Sequence, residues 1–262
     1  MASILFITPR ARKDLATAIS FLSTRVKSPD EDDWGKLKRV LRYIRGTINL
    51  PLILRIDDLG VIKWWIDASF AVHRDMKGHT GATMSLGKGS LLSLTKKQKI
   101  NTRSSTEAEL VGVDDAMPQM LWTRYFIEAQ GFKVEEMILN QDNLSTILLE
   151  KNGRASSSKR TKHIRVRYYF IKDRIAKGDI TVKYCPTEEM LADHFTKPLQ
   201  GKLFRKFRAA AQGIPLDDTD YGMCPADLNE TSDGTGPQEC VGEDETSDGQ
   251  ENNERKIVPI GS

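Results

Sequence analysis

The sequence predicts an α/β fold, and three observations carry that prediction. An apolar, aromatic run, Trp64-Trp65-Ile66-Asp67-Ala68-Ser69-Phe70, has the residue types of a half-buried strand and ends on a carboxylate. A second apolar run, Met137-Ile138-Leu139-Asn140-Gln141-Asp142-Asn143, ends in the same way. Around these runs, apolar residues recur at helical spacing.

The elements follow in order. From Lys13 to Val26, Leu15, Ala18, Ile19, Leu22 and Val26 mark a helix. Ser28-Pro29-Asp30 breaks it and caps a second. That second helix carries Trp34, Leu37, Val40, Leu41 and Ile44 on one side, has Lys36, Lys38, Arg39, Arg42 and Arg45 around the rest, and meets Gly46 as a C-cap. The pair reads either as a basic face lying along a nucleic-acid backbone or as a two-helix unit with solvated lysines. Leu50 to Ile56 reads as a strand, and Asp57-Asp58-Leu59-Gly60 as a turn into the Asp67 strand. His79 to Leu86 and Ser90 to Leu94 flank Gly87-Lys88-Gly89, a hairpin signal, so three consecutive antiparallel strands are expected.

Ser104 with Glu107, or Thr106 with Glu109, fits a capping box that opens a long helix. Pro118 is expected to kink or restart it before Trp122, Phe126 and Ile127 pack. After the Asp142 strand come a helix over Leu144–Glu150, a loop over 153–161 and a helix over Lys162–Lys177, with Ile164, Tyr168, Phe170 and Ile171 available for packing. Ile180-Thr181-Val182-Lys183-Tyr184 alternates as a strand. Cys185-Pro186-Thr187-Glu188-Glu189 turns into a last helix that begins at Met190 and holds Asp193 and His194.

Composition sets the outer limits. The 262 residues are 39% hydrophobic and 29% charged, which fits a globular domain with a polar appendage, and no run approaches the roughly 18 apolar residues of a membrane helix. The apolar start is too short for a signal peptide. Three cysteines, Cys185, Cys224 and Cys240, lack metal-type spacing, and their odd number argues against a disulfide framework and for a reducing, intracellular setting. Net charge is +3, but residues 214–262 hold thirteen acidic residues against Arg255 and Lys256, leaving 37 basic and 23 acidic residues in 1–213. A basic body predicts a polyanionic partner. The tail has too few large apolar residues to order itself, and disorder is expected there.

Four acids stand at element junctions: Asp67, Glu109, Asp142 and Asp193. Glu107 and Glu109 face opposite sides of their helix, so only one can meet Asp67; Glu109, beside Leu110 and Val113, is nearer the buried face. Four carboxylates in one place repel and cannot all ionise unaided. Two Mg²⁺ ions resolve this, with Mn²⁺ an alternative, because hard cations take oxygen ligands and partner phosphate. A pair of such ions activates water and stabilises the leaving oxygen of a phosphodiester displacement, leaving 3′-hydroxyl and 5′-phosphate ends.

The order strand-Asp, two strands, helix-Glu, strand-Asp, helices, strand, helix-Asp resembles the ribonuclease H domain of Ty1/copia-type retrotransposon polyproteins. The resemblance rests on Asp67-Ala68-Ser69, Lys97-Gln98-Lys99, Ser104-Ser105-Thr106-Glu107-Ala108-Glu109-Leu110, Gln141-Asp142-Asn143, Lys159-Arg160-Thr161-Lys162-His163-Ile164 and Ala192-Asp193-His194-Phe195-Thr196-Lys197-Pro198-Leu199. It implies a ribonuclease H-like, five-stranded mixed sheet with flanking helices, the four acids as catalytic metal ligands, and cleavage of RNA in RNA/DNA hybrids. It also implies nucleic-acid contacts at Lys97, Lys99, Asn143, Lys159, Arg160, Lys162 and His163. Thr8 to Leu15 and Trp34 to Thr47 resemble the end of the family's reverse transcriptase, its thumb and connection.

The implied organisation is thumb and connection over 1–57, ribonuclease H over 58–213 and a disordered acidic tail over 214–262. The implied partners are the hybrid and the palm and fingers of the same polyprotein, with no membrane, in a cytoplasmic particle or the nucleus. The family's polymerase Asp pair is absent, so no DNA synthesis is expected. Cellular ribonucleases H often place a His in the loop before the last acid, and Cys185–Glu189 has none. A catalytically inactive nucleic-acid-binding remnant is the alternative reading. An integrase- or resolvase-type nuclease is a third, and the thumb-like helices and the Thr196-Lys197-Pro198-Leu199 ending speak against it.

Overall fold

The computed structural model describes residues 1–152 and 162–215, so the expected 153–161 loop and the acidic tail beyond 215 lie outside the described residues. Three helices come first: α1 (Ala2–Ile7), α2 (Ala16–Ser23), entered through a 3-10 turn at Lys13–Leu15, and α3 (Glu31–Gly46). Asp30 caps α3 in a reciprocal box with Asp33, as the Ser-Pro-Asp break predicts. Gly46 is the last helical residue and Thr47 the cap. Ile4, Leu15, Ile19, Leu22 and Val40 form a small core among the helices, while Trp34 and Leu41 stay exposed.

The expected Leu50–Ile56 strand shrinks to β1 (Arg55–Ile56), paired with β4 (Gly87–Lys88). The residues before it are held elsewhere: the Ile53 amide donates to the Gln212 carbonyl. The main sheet contains β2 (Val61–Ser69), β3 (His79–Ser85), β5 (Leu92–Lys97), β6 (Glu136–Gln141) and β7 (Thr181–Tyr184). Its order is β5-β3-β2-β6-β7, with β5, β3 and β2 antiparallel and β2, β6 and β7 parallel. This is the five-stranded mixed sheet that the resemblance implied.

Helix α4 (Ser105–Ala129) supplies the crossover from β5 to β6, and α5 (Leu144–Asn152) and α6 (Lys162–Ala176) lie between β6 and β7. Ile62, Trp64 and Ile66 of β2 pack with Leu110, Val113, Met117 and Met120 of α4, Leu139 of β6 and Ile171 of α6. Pro118 does not break α4. It lies on the exposed side, while buried neighbours Met117 and Met120 hold both halves to the sheet. Ile127 packs as expected, but Trp122 and Phe126 remain half-exposed and stack on each other.

The other side of the sheet receives two 3-10 turns, Thr187–Glu189 and Leu191–Phe195, and α7 (Gly201–Gln212). The last predicted helix is therefore a 3-10 turn followed by a separate α-helix. Trp65 packs with Cys185, Met190 and Ala192 on this side, and with Ala16 of α2, Leu191, Phe195 and Phe207. Among the described residues, no helix is long and apolar enough to cross a membrane.

Candidate functional site

Alternation along β2 sends Ile62, Trp64 and Ile66 towards α4, and Trp65 and Asp67 towards the 3-10 side. Asp67 lies opposite Gly81 of β3. A Cβ at Gly81 would sit 2.8 Å from the Phe195 carbonyl carbon and 2.5 Å from Thr196 Cγ2, so glycine lets the segment after the 3-10 turn lie directly on the strand. There the Thr196 hydroxyl donates to Asp67 Oδ2.

Gly112 does similar work on α4. Its position for a Cβ is 3.3 Å from Ala68 Cβ and 3.6 Å from the Asp67 carbonyl, so the helix rides close over the end of β2. One turn earlier is Glu109, which is thereby brought to Asp67. Ser104 caps α4 by accepting from the Glu107 amide, and the Glu107 carboxylate accepts from the Arg103 amide. The two glutamates thus divide as the helical spacing predicts: Glu107 is half-buried capping material and Glu109 points inward.

Asp142 follows β6 directly, its amide held by Gln141 Oε1, and its Oδ2 accepts from the Thr187 hydroxyl at 3.3 Å. One oxygen each from Asp67, Glu109 and Asp142 lie within 4.8 Å of one another. Asp193, on the Leu191–Phe195 turn, stands beside this trio, joined to it by Lys197. The Lys197 ammonium is 2.6 Å from Asp193 Oδ1 and 3.5 Å from Asp67 Oδ2.

The electrostatics follow from burial. Asp67, Glu109 and Asp193 are almost fully buried and Asp142 half-buried. Burial first, then the charges of Asp67 and Asp142, push the Glu109 carboxyl well above the ordinary glutamate range. Burial and then Asp67 also raise Asp142 and Asp193, against the pull of Lys197. Burial alone would lower Lys197, but Asp67, Asp193 and Asp142 turn the net shift upward. Glu109 Oε2 is buried with no hydrogen-bond partner among the described residues. An all-oxygen donor set with an unmet buried carboxylate oxygen fits a hard divalent cation, which would hold these acids ionised.

The remaining predicted contacts scatter. Lys97 pairs with Asp75 at 2.8 Å, and Lys99 is exposed. Asn143 is a helix cap, its Oδ1 accepting from the amides of Ser145 and Thr146 at the start of α5. Lys159 and Arg160, and the side chains of Lys162 and His163, lie outside the described residues. His194 is buried with its ring against Phe195 and Phe204. Thr196 and Lys197 enter the sequence analysis only as part of the family motif, and Thr196, Lys197, Gly81 and Gly112 are not among its site residues. A glycine inside a strand pattern is the signal that points to Gly81.

No protein-family model matches the chain. Over 198 residues, 75% of its length, it is 31% identical to the "Retrovirus-related Pol polyprotein from transposon TNT 1-94" of Nicotiana tabacum and 33% identical to that from transposon RE2 of Arabidopsis thaliana. The matched stretch is 15% and 14% of those proteins, so the chain spans only a small part of the curated relatives it matches. Among solved structures, LC11-RNase H1, isolated from compost by a metagenomic approach, is 12% identical with a TM-score of 0.39, covering 52% of this chain and 93% of that one.

Proposed function

The chain is a relative of the retrovirus-related Pol polyproteins of plant copia-type transposons, and on that premise we propose that it hydrolyses the RNA strand of RNA/DNA hybrids as the ribonuclease H part of such a polyprotein. The observation that carries the reading is the convergence of Asp67, Glu109 and Asp142 within 4.8 Å, with Asp193 one lysine away. Asp67, Glu109, Asp142 and Asp193 are the residues that would hold Mg²⁺ or Mn²⁺, two ions in all. Such ions supply Lewis-acid stabilisation of a phosphodiester and a water of lowered pKa.

The chain's own residues do the rest. Thr196 orients Asp67 by donating to Oδ2, which leaves Oδ1 for other work. Gln141 fixes the start of the Asp142 segment, and Thr187 restrains the Asp142 carboxylate from the far side. Glu109 is dehydrated by the close approach of α4, so an ionised Glu109 is favourable only beside a cation. The hybrid is the proposed substrate, and the reverse transcriptase palm and fingers of the same polyprotein are the proposed partner.

The test is cleavage of a labelled RNA/DNA hybrid with Mg²⁺, beside Asp142→Asn, with duplex DNA as control. The expected result is cutting of the RNA strand alone, reduced in the variant by at least about 100-fold, the scale on which a single charge-stabilising group acts. Hybrid binding without cutting would replace this reading with the inactive remnant. Cutting of duplex DNA would replace it with a different nuclease class.

A further inference from the structure

Lys197 brings a positive charge into a cluster that would otherwise hold only acids. It stands two residues past the Leu191–Phe195 turn, and its ammonium faces Asp193 Oδ1 and Asp67 Oδ2 together, at 2.6 and 3.5 Å. The two sides of the cluster therefore differ. Asp193 and one oxygen of Asp67 already meet a cation. Among the described residues, Glu109 and Asp142 have no ion pair, and Glu109 Oε2 has no hydrogen-bond partner.

We infer that Lys197 is an internal competitor for the second divalent ion, holding the Asp67–Asp193 side of the cluster until that ion displaces it. This rests on the acid cluster being the metal site, as proposed above. The side-chain exposures suit the role: Lys197 is 39% exposed, while Asp67 is 3% and Asp193 is 6% exposed. The ammonium can withdraw into water on its flexible stem, and the two carboxylates cannot follow it. Asp67, Glu109 and Asp142 would then take the first ion without disturbing the lysine contact to Asp193. The second ion, which needs Asp193, must break that contact. Two ions with comparable ligands thus bind unequally, and one side chain sets the gap.

A lysine that merely braced the acids would behave in the opposite sense. Its removal would let the carboxylates drift and weaken every ion. Removal of a competitor tightens one ion and leaves the other alone.

The experiment is calorimetric titration of the full chain with MgCl₂, comparing wild type with Lys197→Ala, Lys197→Gln and Lys197→Arg, each first shown to be folded by circular dichroism. In wild type, one ion is expected to bind with a second at least about tenfold weaker. Lys197→Ala and Lys197→Gln should tighten the second by about tenfold or more, the scale of one lost unit charge at this range, and Lys197→Arg should keep it weak. Wild type that binds an ion while the neutral variants show unchanged or weaker second-ion binding overturns the inference and leaves the metal site standing. No binding in any of the four proteins overturns both. The neutral glutamine keeps most of the stem, so loss of packing cannot stand in for loss of charge.

Discussion

Glu150 of α5 has no exposed surface, and neither of its carboxyl oxygens has a hydrogen-bond partner among the described residues. Burial pushes its pKa up to about 8 from an ordinary 4.5. The folded chain therefore keeps this proton over a range in which the unfolded chain has released it. Stability conferred by the neutral form is complete below about pH 4.5 and is lost as pH rises towards 8. Glu150→Gln cannot ionise. Urea unfolding should show the variant gaining on wild type between pH 5 and pH 8, by on the order of 2–4 kcal/mol. An equal difference at both pH values would refute the assignment.

At the same scale, the acid trio was legible because each member ends or opens an element, where a carboxylate beside an apolar run demands a partner. Asn143, a nucleic-acid contact in the resemblance, also caps α5 through its Oδ1, a second task that the Asp-Asn pair does not announce. Lys197 was invisible as a site residue. A lysine in a run gives no sign of which carboxylates it meets until the Leu191–Phe195 turn is known to be 3-10 in form.

Among the elements, those with strong periodicity were legible: β2, β3, β6, α4 and α3 lie where alternation or helical spacing put them. Leu50–Ile56 failed because Leu50 packs on Ala209 and Ile214 and the Ile53 amide is taken by the Gln212 carbonyl, while Ile53, Leu54 and Ile56 stay exposed. What sequence periodicity cannot express is distance between elements, and two glycines set it. Gly81→Ala should force the Phe195–Thr196 backbone off β3, break the Thr196–Asp67 hydrogen bond and carry Asp193 away from the trio. The expected cost is about 1–3 kcal/mol, read as a lower thermal midpoint, together with loss of hybrid cleavage. Cleavage at the wild-type rate would show that the close approach is dispensable.

The N-terminal helices belong to this same arrangement. Phe21 of α2 stacks on His73 and His79 at 4.8 and 4.5 Å, and His79 Nε2 shares a hydrogen bond with Thr95 Oγ1, which in turn donates to the Phe195 carbonyl. Thr17 Oγ1 donates to the His194 carbonyl at 2.5 Å. Helix α2 thus backs the turn that carries Asp193.

Across the whole molecule, the clearest long-range tie is Gln212, fully buried at the end of α7. Its Oε1 accepts from the Lys13 amide, its Nε2 donates to the carbonyls of Ala11 and Pro51, and its own carbonyl accepts from the Ile53 amide. Gln212→Ala strands an amide and two carbonyls inside the protein. It should destabilise the chain by roughly 2–4 kcal/mol, measured by denaturant unfolding, with metal binding in the native state retained. A change within about 0.5 kcal/mol would mean that water replaces the glutamine. No local pattern announces this tie, because its partners lie about 160 to 200 residues apart in sequence.

That separation has a consequence in time as well as in space. A ribosome adding roughly 5–20 residues per second finishes the segment around Pro51 some 8–32 s before it reaches Gln212. Throughout that interval the opening helices have no α7 to close against. Residues 1–51 thus wait on a partner made much later, and their exposed apolar side chains are what a chaperone or a protease meets in the meantime.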